Sequence, residues 1–123
     1  MAKALEVVQR FQGAMAKDDW AGARSCFDDH LAFSGPFEKF DQPEGYLQSL
    51  QRLHPIVERV EIKHIFVDGA DVCLWYDLVT NTPAGTALVC EWHHVEGDRI
   101  KAIQVVFDAR PFAPMFAAGG PKR

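Results

Sequence analysis

Val89-Cys90-Glu91-Trp92-His93-His94-Val95 is the stretch on which the fold turns. Its valines and tryptophan read as a β-strand, yet it carries a carboxylate and two imidazoles. Strand side chains alternate between faces, so Glu91 and His93 share one face with Val89 and Val95. Cys90, Trp92 and His94 share the other. The question is which face turns inward, and onto what.

The surrounding sequence repeats the strand pattern. Residues 57–67 are rich in Val, Ile and Phe and end at the turn Asp68-Gly69. Residues 72–80 follow, then the turn Asn81-Thr82-Pro83-Ala84-Gly85, then residues 86–95. Glu96-Gly97-Asp98 leads into a last strand over residues 99–108. Before this meander the period changes. Residues 3–17 place Leu5, Val8, Phe11 and Met15 on one helical face. Asp18-Asp19 caps a second short helix, WAGARSCF, with Trp20 and Phe27 as its apolar ends. His30-Leu31-Ala32-Phe33-Ser34 is a short strand closed by Gly35-Pro36. Asp41 is positioned to cap a third helix, with Pro43 in its first turn and Tyr46, Leu47, Leu50 and Leu53 as its apolar face; His54-Pro55 stops it. Helices followed by an antiparallel meander predict an α+β fold, a curved antiparallel sheet wrapped around three N-terminal helices. Such a wrap encloses a pocket between sheet and helices.

The 123 residues are one domain's worth, with residues 110–123 expected as a loosely packed C-terminal tail. The net charge of -4, with no basic cluster, argues against a nucleic-acid partner. No apolar run spans a bilayer, and the amphipathic N-terminus lacks the features of a signal peptide. Three cysteines without a CxxC pair read as reduced thiols, which points to a cytoplasmic location. His93-His94 is not a metal pair, because adjacent strand residues face opposite ways; neither a metal nor another cofactor is expected.

Cross-strand pairing decides the chemistry. A hairpin centred on Thr82-Pro83 sets Trp75 opposite Glu91, Asp77 opposite Val89 and Cys73 opposite His93. A hairpin centred near Gly97 sets Val105 opposite Glu91 and Ile103 opposite His93. One face then gathers Trp75, Asp77, Val79, Val89, Glu91, His93, Ile103, Val105 and Phe107. Asp77 and Glu91 become diagonal neighbours in an apolar frame, where desolvation and like charge raise at least one carboxyl pKa. The candidate catalytic set is Asp77 as base, Glu91 as acid or oxyanion donor, and His93 as relay. Candidate ligand contacts are Phe11, Met15, Trp20, Phe33, Tyr46, Trp75, Val105 and Phe107. Two other readings stay open: this face is solvated and the Leu74, Tyr76, Leu78, Cys90, Trp92 face is core, or one face packs on the helices and the other on a second subunit.

Two stretches resemble a known family. EVVQRFQGAMAKDDWAGARSCFDDHLAFSGP (6–36) is similar to the two-helix opening and first strand of the SnoaL-like branch of the nuclear-transport-factor-2-like superfamily, ketosteroid isomerase included. YDLVTNTPAGTALVCEWHHVEGDRIKAIQVVFDARPF (76–112) resembles its closing meander, with the aromatic-Asp-x-x-Pro stretch. The resemblance implies an α+β cone, usually dimeric through the sheet's outer face, and it favours the pocket reading. The isomerase's oxyanion tyrosine falls on Phe11 and its base on Gly35, while its protonated acid falls on Glu91. The strand acid of limonene-epoxide-hydrolase-like enzymes falls on Asp77, but their arginine falls on Trp75 and their second acid on Val105. The histidine of SnoaL-type polyketide cyclases matches His93. Three functions follow as alternatives: an acid–base enzyme of isomerase, cyclase or hydrolase type acting without a cofactor on a small apolar carbonyl or polyketide-like compound; a non-catalytic binder of a small apolar molecule; or a homodimeric module joined through Tyr76, Trp92 and Val106.

Overall fold

A computed structural model describes residues 3–114 of the chain. Helix α1 (Lys3–Ala16) buries Ala4, Val7, Val8, Phe11 and Ala14, a stripe at helical spacing. A short α2 (Trp20–Ser25) follows, and its N-cap Asp19 accepts a hydrogen bond from the Gly22 amide at 2.9 Å. Strand β1 (Phe27–Ser34), a two-residue β2 (Lys39–Phe40) and helix α3 (Pro43–Leu53) complete the N-terminal half. A 3-10 turn, His54–Ile56, then leads into four strands: β3 (Val57–Asp68), β4 (Asp71–Thr80), β5 (Thr86–Glu96) and β6 (Arg99–Val106).

The six strands form one sheet in the order β2-β1-β6-β5-β4-β3. All neighbours are antiparallel except β1 and β6, which run parallel. The sheet is therefore mixed, and the returning β6 slots beside the N-terminal strand. The α+β architecture is the expected one: three helices gathered against one face of a curved sheet.

Three local expectations change. Strand β1 starts at Phe27, which the sequence pattern assigns to the end of α2. Phe27 pairs with Ile100 and Ala32 with Ala102, so β1 bulges through the Asp28-Asp29-His30 triplet. The expected strand begins only at His30, after the polar Asp28-Asp29, while the flanking Phe27 and Leu31 are fully buried. Helix α3 begins after Gln42, not Asp41, and no side chain caps it; Pro43, which lacks an N–H, removes one of the unpaired donors that a cap would serve. Strand β2, too short to show a period, is also new.

The hairpins set the faces. Thr80 N donates to Gly85 O at 3.1 Å, closing the four-residue loop 81–84, and Gly85 takes a positive φ of 77°. An even-numbered loop centres the hairpin between two residues. Leu74 therefore lies opposite Glu91, Tyr76 opposite Val89 and Asp77 opposite Leu88. The expected pairing of Trp75 with Glu91 and Asp77 with Val89 is one residue out, which turns every β4 side chain to the other face. The next hairpin agrees with expectation: Glu91 faces Val105 and His93 faces Ile103.

The core lies between the helices and the inner sheet face. Phe27 packs on Phe11 and Tyr46, with ring centroids 5.0 and 5.6 Å apart. After β6, Arg110–Phe112 forms a 3-10 turn and Phe112 is buried against Phe107. The rest of the 110–123 tail, from residue 115, lies outside the described residues. Because Phe27 joins α1, α3 and β6, Phe27→Ala is expected to lower unfolding free energy by about 3–5 kcal/mol, read as a shifted urea midpoint with unchanged slope.

Candidate functional site

The inner face of the sheet, α1 and α3 enclose a cavity of about 660 Å³. Phe11 and Met15 reach it from α1, Phe33 from β1, and Tyr46, Ser49, Leu50 and Leu53 from α3. The sheet supplies Tyr76, Leu78, Val89, Glu91, Val105 and Phe107. The lining is mostly apolar, so each polar group in it stands out.

Glu91 is the central one. It is buried, and Tyr76 donates a hydrogen bond from its hydroxyl to Glu91 Oε1 at 2.7 Å. The Tyr46 hydroxyl interacts with the same carboxylate. His93, with no exposed surface, brings Nε2 to 3.3 Å from Glu91 Oε2, while its Nδ1 lies 3.3 Å from the Val72 carbonyl oxygen. The Nε2 approach is an ion-pair distance without hydrogen-bond geometry. Burial is the largest single influence on the Glu91 carboxyl and pushes its pKa up. The interaction with the His93 ring, joined by the Tyr76 and Tyr46 hydroxyls, outweighs burial and holds the carboxyl below its ordinary value. Both phenols go the other way: burial first, and then the Glu91 charge, raise them well above the usual tyrosine value, so they stay protonated and donate.

This corrects the expected chemistry. Asp77 is not beside Glu91. It faces outward on β4 and pairs with Lys63 Nζ at 3.2 Å. Glu91 meets two phenols and an imidazole instead of a second carboxylate, so it is an ionised acceptor rather than a neutral donor. Trp75 likewise lies on the outer face, 39% exposed. Trp20 lies outside the cavity lining, its ring edge-on to His54 at 5.7 Å. His93 supports Glu91 from behind and does not line the cavity. Phe11, Met15, Phe33, Tyr46, Val105 and Phe107 all line it, as does Gly35.

Two polar participants escape a reading of the sequence. The expected register puts Tyr76 on the outer face; the parity of the 81–84 loop turns it inward, opposite Val89. Glu38 lines the cavity from the loop between β1 and β2, where its carboxylate oxygens meet the Ser49 hydroxyl and, at 3.7 Å, Arg52 Nη2. The segment SGPFEKF carries no periodic signal that would point it inward. Among the described residues no group of three or more His, Cys, Asp or Glu could hold a metal ion.

A curved α+β cone with a mostly apolar internal cavity defines the nuclear-transport-factor-2-like fold. The chain belongs to the SnoaL-like domain family, whose model matches residues 8–103. No curated protein matches the sequence. Among solved structures, a protein from Kribbella flavida is 21% identical with a TM-score of 0.85, over 97% of this chain and 98% of that one. An NTF2-like protein of unknown function from Cytophaga hutchinsonii is 24% identical with a TM-score of 0.77, covering 89% and 94%. An LEH-like epoxide hydrolase from M. tuberculosis is 21% identical with a TM-score of 0.77, covering 93% and 89%. At these identities the likeness is one of fold.

The lowered Glu91 pKa has a signed consequence. A carboxyl held below its unfolded value of about 4.3 contributes stability above that pH, and the contribution is lost as pH falls through the folded value. Wild type should therefore lose more stability than Glu91→Gln when pH drops from 7 to 3, measured by urea unfolding at both. Equal losses would mean that Glu91 is not held as an ion. Tyr76→Phe removes a hydrogen bond to a charged acceptor and should cost about 1.5–3 kcal/mol at neutral pH.

Proposed function

We propose that this protein is an acid–base enzyme of the isomerase, cyclase or hydrolase type, acting on a small, mainly apolar carbonyl or polyketide-like compound. The observation that carries the reading is the Glu91 carboxyl group, buried in an apolar cavity with a tyrosine hydroxyl 2.7 Å away. With its pKa held low, Glu91 is ionised at neutral pH and is available there as a proton acceptor. Glu91 takes one from the carbon next to the substrate carbonyl. The C–H bond breaks, and its electron pair moves into the carbon–carbon bond as the carbonyl oxygen becomes an enolate. Tyr46 or Tyr76 turns its hydroxyl to that oxygen, and the protonated Glu91 returns the proton to carbon or oxygen. Membership of the SnoaL-like family and the shared fold with isomerases, cyclases and epoxide hydrolases support this class of chemistry.

The test is proton exchange in heavy water, followed by NMR, with a panel of apolar ketones and lactones. At least one should exchange its carbonyl-adjacent protons faster than in buffer. Glu91→Gln should then lower the enzymatic rate by about 10²–10⁴-fold, the usual worth of a general base. Exchange that persists unchanged in Glu91→Gln would remove Glu91 from the reaction.

A second reading, binding without turnover, is favoured by Phe11, Gly35 and Val105. These three cavity positions, where the relatives' working groups fall, carry no polar side chain. Tight binding of a panel compound with no exchange would support it.

The partner we infer besides the small molecule is a second copy of the chain. Phe66, Leu88, Trp92 and Val106 stand exposed on the outer side of the sheet, Trp92 at 50% and Val106 at 60%. Tyr76, expected in that interface, faces inward, and Trp75 takes its place. The protein should elute as a dimer at micromolar concentration with its mass set by light scattering, and Trp92→Glu should yield a monomer. The three free cysteines suit a reducing compartment such as the cytoplasm.

A further inference from the structure

The cavity has a second polar end. Glu38 is 14% exposed at its side chain, and it lines the cavity from the loop after β1. Ser49 lines the cavity beside it and donates its hydroxyl to Glu38 Oε1. Arg52 is not part of the lining; its Nη2 stands 3.7 Å from Glu38 Oε2 and balances the charge from outside. Two carboxylate oxygens offer about four acceptor positions. One hydrogen bond and one loose ion pair leave acceptor capacity facing the cavity. Glu58, the third cavity-lining acid, differs on both counts: its side chain is 55% exposed and engaged with Arg59 at 3.3 Å.

The helix fixes the spacing of the two ends. Tyr46, which interacts with Glu91, and Ser49 and Arg52, which hold Glu38, follow one another along α3 at intervals of three residues. A rise of 1.5 Å per residue puts the Glu38 group roughly 5–9 Å further along the helix than Tyr46. The walls between are apolar: Phe33, Leu50, Leu78, Val105 and Phe107.

We propose that Glu38, positioned by Ser49 and Arg52, is a specificity-determining subsite that accepts a hydrogen bond from the far end of the ligand. The ligand is then a two-ended molecule: an apolar body of about two rings, an oxygen function at Glu91, and a hydroxyl at Glu38. The inference rests on Glu91 being the reacting end. It adds a requirement at the other end, for a donor and against an acceptor, since a carboxylate accepts and cannot donate.

Three biphenyls test it: para-phenylphenol, the para,para′-diol, and that diol's monomethyl ether. The ether keeps oxygen and bulk at the far end but removes the donor. Dissociation constants by titration calorimetry are compared within each variant, so general damage to the fold cancels. Wild type is expected to bind the diol about tenfold or more tightly than either other probe, the scale of one hydrogen bond to a charged acceptor. Glu38→Leu is expected to bring the three affinities together while keeping that for para-phenylphenol. A Glu38 that only pins its loop to α3 would instead shift all three equally, and that outcome overturns the proposal. So does a wild type that binds diol and ether alike, or that binds none of the three. Glu91→Gln separates the two claims: it should weaken all three probes while preserving the diol's advantage. An unchanged para-phenylphenol affinity in that variant counts against the Glu91 reading, while loss of the diol preference in Glu38→Leu alone still supports the far-end subsite.

Discussion

One buried carboxylate draws together side chains from three elements of the fold. A carboxylate taken out of water costs several kcal/mol unless partners replace its hydration. Glu91 has those partners from three elements: Tyr76 on β4, His93 two residues along its own strand, and Tyr46 on α3. Each arrives through a different part of the fold. Tyr76 requires the β4–β5 register, His93 requires strand parity, and Tyr46 requires α3 to lie across the open side of the sheet. The electrostatics of this carboxylate thus reward the arrangement that closes the cavity around it.

The legible part of the fold is the part set by local periodicity. The α1 stripe, the Asp19 cap and the four long strands follow from side-chain spacing and turn residues alone. So does the sharing of one face by Glu91, Val89 and Val95; the turn at Gly97 pairs Val95 with Ile100, and a register shift between His94 and Val95 then sets Glu91 opposite Val105. What the sequence conceals depends on counting through loops. The β4–β5 connection contains turn residues at several positions, and a one-residue slip in its pairing exchanges Tyr76 for Trp75 and Leu78 for Asp77. Residues of β4 are apolar on both faces, so hydrophobicity does not arbitrate. Similarly, Asp28-Asp29-His30 breaks the pattern of β1 because a bulge lets polar residues escape while the strand continues.

That two-faced apolarity has a structural origin. Leu74 and Val89 are buried inward, while Trp75, Leu88 and Trp92 remain exposed outward. Strand β3, at the sheet edge, exposes Phe66 on the same outer side, while its exposed Val60 and Ile62 line the mouth of the cavity. A sheet that meets water on its outer side ordinarily alternates apolar and polar residues. This one does so only in part: Asp77 with Lys63, and Asp71 with Trp92 and His94, interrupt the apolar surface. The same interruptions made the Asp77 face look like a site in the sequence. A carboxylate amid apolar strand residues has two physical solutions, a salt bridge at the surface or a hydrogen-bonded cage inside, and Asp77 and Glu91 take one each.

The difference between those two solutions bears on function. Asp77 can be partnered at little cost, because solvent shares the work of stabilising it. Glu91 cannot. An apolar residue of similar volume among Val89, Val105 and Phe11 would fill the space without needing two phenols and an imidazole. A fold that retains the ion there holds a group whose stability depends on neighbours and whose proton affinity those neighbours tune. Structural needs alone do not call for such an arrangement, since buried ion pairs seldom stabilise more than a packed apolar substitute. The cavity around it, large enough for a compact organic molecule and apolar elsewhere, supplies the reason that packing does not.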